Sequence, residues 1–132
     1  MPVPDPTIDD QQFWERCKQR QLVFQQCNDC QRFRHPPGPA CPSCQSFSYR
    51  WVEAHDEAEL FSFTVVEHGA LAGIEKSLPY NIAIVDFPSF DHVRLISNVV
   101  DTAPANLRIG MKLHLIWDEV KDGIPLPRFR AA

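Results

Sequence analysis

No apolar run in this chain of 132 residues approaches the roughly 20 residues that a membrane-spanning helix needs, so no partnership with a membrane interior is expected. An excess of basic charge is also missing: 13 Lys and Arg stand against 17 Asp and Glu, a net charge of −4. Binders of nucleic acid or of anionic membrane surfaces need a basic face, so both partners are disfavoured. The acidity is local. Residues 1–55 hold six basic and six acidic side chains, whereas residues 56–132 hold seven against eleven. Glycine is scarce, with five in the chain, and no Gly-rich phosphate loop, nucleophile elbow or well-placed carboxylate pair is present. His35, His55, His68, His92 and His114 fall into no metal or triad spacing. Only His68, at a strand end beside a long loop, is singled out as a candidate. The opening Met1-Pro2-Val3-Pro4-Asp5 lacks the basic and apolar regions of a signal peptide, so a cytoplasmic, reducing location is expected.

Cysteine, by contrast, is arranged. Cys27-Asn28-Asp29-Cys30 is followed, after ten residues, by Cys41-Pro42-Ser43-Cys44. In a reducing compartment, two such pairs favour metal over disulfide. Thiolates are soft ligands, and two Cys-x2-Cys knuckles at this distance close a tetrahedron, with zinc favoured over iron. A closed Zn(Cys)4 site has no position for substrate, so its expected role is structural. Knuckles of this kind often carry Gly after the second Cys. Here Gln31 and Gln45 stand there, at a cost of about 1 kcal/mol each if their backbone is left-handed. Cys17 reads as a semi-buried thiol. Arg32, Arg34 and Arg50 either offset the charge of the metal centre or join Arg16, Lys18 and Arg20 in a small basic surface.

The cysteines divide the chain into an N-terminal extension and helix (1–20), a ribbon (21–53) and a barrel (54–132). A metal clip so early leaves the rest free to be a separate folding unit. Thr7 to Asp10 suits a helix start, and Phe13, Trp14 and Cys17 share one face of a helix over Asp9 to Arg20. Gln21 to Gln26 and Phe47 to Glu53 read as strands around the knuckles, with Arg34 to Pro39 a loop between them. After Ala54 the pattern changes to two-residue alternation, with Phe61, Phe63 and Val65, then Ile82 and Ile84, Val93 and Leu95, and Met111 to Trp117. With a last segment from Ile124 to Phe129, five strands predict a small closed or nearly closed barrel. Two connections stand out. Glu67 to Pro79 is long and carries Leu71, Ile74 and Leu78, which either form a lid or contact surface or fold back onto the barrel. Asp101 to Gly110 is expected to hold one short helical turn.

The ordered set of segments resembles one family. It comprises Phe13-Trp14-Glu15, Leu22 to Cys30, Pro36 to Cys44, Phe61 to Val66, Pro79-Tyr80, Arg94 to Asn98, Ile109-Gly110-Met111 and Ile124 to Phe129. The family is the zinc-ribbon plus OB-fold proteins long filed as domain of unknown function 35. The resemblance spans about residue 9 to residue 129. It implies a mainly β fold: a short N-terminal helix, a rubredoxin-like zinc ribbon and a five-stranded OB-fold barrel. It further implies a non-catalytic accessory subunit of a thiolase-like complex that acts on acyl-CoA, in a hetro-oligomer whose large subunit supplies the catalysis. Where members often have a Gly-x-Gly turn before the first barrel strand, this chain has Ala54 to Glu59, without glycine.

On that expectation Cys27, Cys30, Cys41 and Cys44 hold structural Zn2+. Phe13 and Trp14 dock on the partner, and His68, Leu71, Ile74, Leu78 and Tyr80 face the partner or the acyl-CoA. A pantetheine arm is long and mostly apolar, which suits such a groove. Two other classes compete. A single-stranded nucleic-acid-binding OB-fold requires a basic groove with stacking aromatics. A free-standing acyl-CoA-binding protein requires no partner.

Overall fold

The computed structural model describes residues 9–54, 57–67, 80–119 and 123–132. Helix α1 (Gln11–Lys18) is shorter at both ends than its sequence pattern. The Trp14 N–H bonds to the Asp10 carbonyl, but no side chain caps the start. At the other end Arg20 turns left-handed at φ 58° and its N–H returns to the Cys17 carbonyl. Such a turn satisfies the last carbonyls and stops the helix. Phe13 and Cys17, one turn apart, are buried on the same face.

Strands β1 (Val23–Cys27), β2 (Phe33–Arg34) and β3 (Tyr49–Glu53) form a three-stranded antiparallel sheet in the order β2-β1-β3. Strand β2 corrects the expected loop: Phe33 and Arg34 pair with Gln26 and Gln25 before the prolines end the ladder. The next five strands are β4 (Ala58–Val66), β5 (Tyr80–Phe87), β6 (Val93–Ser97), β7 (Lys112–Asp118) and β8 (Leu126–Ala131). They run in the order β6-β5-β4-β7-β8. A parallel bridge from Val99 to Phe129 brings the two edges together, as in an OB-fold barrel. Asn81 reinforces the closure. Its side chain takes the Val99 N–H and gives to the Val99 carbonyl, both at 2.7 Å. The connection from Asp101 to Gly110 holds the expected helical turn, at Pro104–Asn106.

The alternation in β4 is interrupted. Leu60 pairs with Val85 and Ser62 with Ile84, leaving Phe61 as the extra residue of a bulge. Leu60 is therefore buried, and Phe61, expected on the same side as Phe63 and Val65, is 43% exposed. In β5 the buried face belongs to Ala83 and Val85, while Ile82 points outward.

One buried cluster runs through helix, ribbon and barrel. Phe13, Cys17, Leu22 and Phe24 belong to it together with Leu60, Val85, Phe87, Leu113 and Phe129. Phe24 and Phe33 of the ribbon pack edge-on against Phe90 of the barrel, and the Phe33 N–H donates to the Asp91 carboxylate at 2.9 Å. The barrel core therefore continues into the ribbon and the helix.

Candidate functional site

The four predicted cysteines converge. Their sulfurs all lie within 4.8 Å of one another, with Cys27 to Cys44 and Cys30 to Cys41 each at 3.5 Å. A tetrahedron with metal–sulfur bonds of about 2.3 Å has edges of about 3.8 Å, so the donor set fits a metal such as zinc. Each knuckle is built alike. The N–H of Gln31 returns to the Cys27 carbonyl at 3.0 Å, and that of Gln45 to the Cys41 carbonyl at 2.8 Å. Gln31 and Gln45 sit at φ 68° and 67°, the left-handed backbone in question. At Gln31 the side chain offsets some of the cost by accepting from Arg50 and donating to the Asn28 carbonyl. Backbone N–H groups aim at the sulfurs: those of Cys44 and Ser43 lower the Cys41 thiol to about 6, and that of Cys30 leads the lowering at Cys27, while at Cys30 and Cys44 the backbone N–H bonds are outweighed by desolvation and by contacts to the neighbouring sulfurs, which raise them. Hydrogen bonds to the charged form favour the thiolate that a metal requires. Four ligands leave no open position, so the centre suits structure and not chemistry. Cys17 is a buried thiol outside this set, pushed up to about 12 by desolvation.

The aromatic pair on α1 separates in role. Phe13 is only 2% exposed, in the chain's own core, which corrects the expectation that its ring docks on a partner. Trp14 is half-buried, edge-on to Phe13 at 5.0 Å. Tyr80 opens β5 opposite Val66 and is half-buried. His68, Leu71, Ile74 and Leu78 lie outside the described residues.

Beside Trp14 the structure forms a groove of about 310 Å3. Trp14, His35 and Pro37 line one side, and Arg94, Ile96 and Arg128 the other, with Asp10 also contributing. His35 is wedged between the rings of Phe13 and Phe24. Desolvation pushes it down to about 4, against the opposing charge of Asp10. Arg94 lies over Phe61, 3.7 Å from the ring centre, with its Nε 3.6 Å from Asp86. The sequence analysis did not single out Arg94 or Arg128, which line this groove. The available signal was a cation between two apolar neighbours: Arg94 between Val93 and Leu95, and Arg128 between Pro127 and Phe129.

A family model described as the ChsH2 rubredoxin-like zinc ribbon domain matches residues 14–50, and one described as the ChsH2 C-terminal OB-fold domain matches residues 51–118. A solved structure described as "Ltp2-ChsH2(DUF35) aldolase" superposes with a TM-score of 0.88 at 38% identity, covering 97% of this chain and 98% of that one. The chain belongs to the ChsH2 (DUF35) family. Two further similarities fit the family. A "DUF35 domain-containing scaffold protein" of Methanocaldococcus jannaschii is 26% identical over 111 residues, 83% of this chain and 77% of that protein. A DUF35 protein of unknown function from Sulfolobus solfataricus, 22% identical with a TM-score of 0.69 over 95% of this chain and 86% of that one, shares the fold. A "Probable enoyl-CoA hydratase alpha subunit" of Thermomonospora curvata is 41% identical over 131 residues, 98% of this DUF35 chain. The chain spans only 40% of that relative's length. No helix among the described residues is long and apolar enough to cross a membrane.

Proposed function

We propose that this chain is a non-catalytic accessory subunit of an enzyme complex that acts on acyl-CoA, with a thiolase-like partner supplying the catalytic residues. The observation that carries the reading is the match over 97% of the chain to the ChsH2 (DUF35) structure, whose description couples it to Ltp2 in an aldolase. The description of the Thermomonospora relative as a subunit of an enoyl-CoA hydratase supports the acyl-CoA class. The closed sulfur tetrahedron supports a structural Zn2+ on Cys27, Cys30, Cys41 and Cys44. On this reading the Glu67–Pro79 connection, with His68, Leu71, Ile74 and Leu78, and the neighbouring Tyr80 face the acyl substrate or the partner's entrance.

Co-expression with a thiolase-like large subunit from the same organism tests the proposal. The expected result is a stable hetero-oligomer on a sizing column, and acyl-CoA turnover that falls when this chain is omitted. Full activity of the large subunit alone, with no complex formed, overturns it.

A further inference from the structure

We infer that the groove between α1, the loop at residues 35–37 and strands β6 and β8 receives a carboxylate-bearing segment of the partner subunit, anchored by Arg128. This rests on the reading that the chain works bound to a partner.

The first argument is the state of Arg128. It is 7% exposed and lines the groove, so only a small part of it meets water. Within the chain it has an ion pair to the half-exposed Asp118 at 3.7 Å, beyond hydrogen-bond distance. Among the described residues its hydrogen bond is to the Pro127 carbonyl, stretched to 3.5 Å. A guanidinium stays charged and carries five N–H donors, and buried ones are stabilised by close, often bidentate, carboxylate contact. Desolvation accordingly lowers its pKa, with Asp118 opposing.

The second argument is charge. The residues from 56 onward carry the whole net −4 of the chain, yet here the barrel places Arg94 and Arg128 in one groove. Asp10 is the acid that shares the lining. Asp86 and Asp118 also flank Arg94 and Arg128, at 3.6 and 3.7 Å, but beyond hydrogen-bond distance, so an arriving carboxylate would compete for guanidinium N–H groups that the chain's own acids do not engage closely.

The third argument separates a polypeptide from a small anion. Ile96, on the groove's edge, is 74% exposed and pairs in register with Ile84. Phe61 and Ile82, on the same outer face of the sheet, are 43% and 38% exposed. A free anion covers none of this surface, whereas a segment with apolar residues around its carboxylate covers Ile96 and Trp14 while it pairs with Arg128.

The test uses the complex with the co-expressed partner, comparing Ile96→Asp, Arg94→Glu, Arg128→Lys and the remote Lys112→Gln by calorimetry at two salt concentrations. Ile96→Asp and Arg94→Glu are expected to weaken binding by about tenfold or more, and Arg128→Lys by several-fold, because a lysine lacks the planar fork. Lys112→Gln should change it less than about twofold. Ile96 is exposed, so its variant should melt with the wild type; Arg94→Glu, which loses the cation beside the buried Asp86, and Arg128→Lys are read only if they do too. Wild-type affinity in both Ile96→Asp and Arg94→Glu overturns the inference and leaves the accessory-subunit reading intact. A wild-type chain that forms no complex overturns both. Self-association of the chain alone that is lost in Ile96→Asp also overturns the inference, by assigning the face to a second copy.

Discussion

Phe24 of the ribbon and Phe87 of the barrel meet edge to face, with ring centroids 4.9 Å apart and neither ring exposed. Through this contact the sheet that ends in the metal knuckle becomes one wall of the barrel's core. Cys27 is the last residue of the strand that carries Phe24. Whatever orders the knuckles therefore orders the barrel face as well.

Phe24→Ala should cost about 3–5 kcal/mol, because a fully buried ring is lost from a core that cannot collapse around it. Denaturant unfolding, followed by tryptophan fluorescence and far-ultraviolet circular dichroism, should show one transition shifted to lower denaturant. Two separated transitions would contradict the shared core.

Replacing Cys41 with Ser should remove one of four ligands and reduce bound zinc, measured by elemental analysis, from about one per chain to well below one. The melting temperature should fall, and the loss should reach barrel signals because the core is continuous. A chelator should reproduce the effect in the wild type.

The two left-handed glutamines give a differential prediction. Gln45 shows no side-chain hydrogen bond among the described residues, so Gln45→Gly should stabilise the chain by about 0.5–1 kcal/mol. Gln31→Gly should gain less or lose, since its side chain bonds to Arg50 and to the Asn28 carbonyl. Thermal melts of the two variants at saturating zinc compare them directly.

His35 should make stability depend on pH. Its folded value, pushed down to about 4, lies below the ordinary 6.5. The unfolded chain therefore binds the proton first, and stability falls as pH drops below about 6.5, levelling off near 4 after a loss of about 3 kcal/mol. His35→Asn should flatten this part of the profile relative to the wild type when both are measured by denaturant unfolding.

Asn81 imitates a backbone pairing toward Val99, so Asn81→Ala should cost about 2–3 kcal/mol by leaving a buried N–H and carbonyl without partners. Hydrogen exchange at the Val99 amide should rise in the variant more than exchange at the centre of β5.

Much of this was legible in the residues themselves. The Cys-x2-Cys pairs named the four cysteines that converge, because their spacing is a local property, fixed by the turn that each pair must make. Alternation named the barrel strands, since the period of two holds wherever one face is buried. The same rule failed at Phe61, where a bulge adds a residue and reverses the phase; a bulge is set by the partner strand. It also failed to find β2, a two-residue strand too short to show any period. Phe13 was apolar on a helical face, which says that the face is covered without saying by what, and the cover is the chain's own core.

The sequence by itself determined the cysteine cluster, the strand pattern and the family, because each rests on residues near one another or on an ordered set of segments. The tertiary structure alone decided that ribbon and barrel share a core, since Phe24 and Phe87 are distant in the chain and meet only after both sheets form. It alone also decided that Arg94 and Arg128, from two different strands, share a groove with Trp14 and Ile96. Side chains this far apart in sequence become neighbours only through strand register and barrel closure, and no local pattern encodes either.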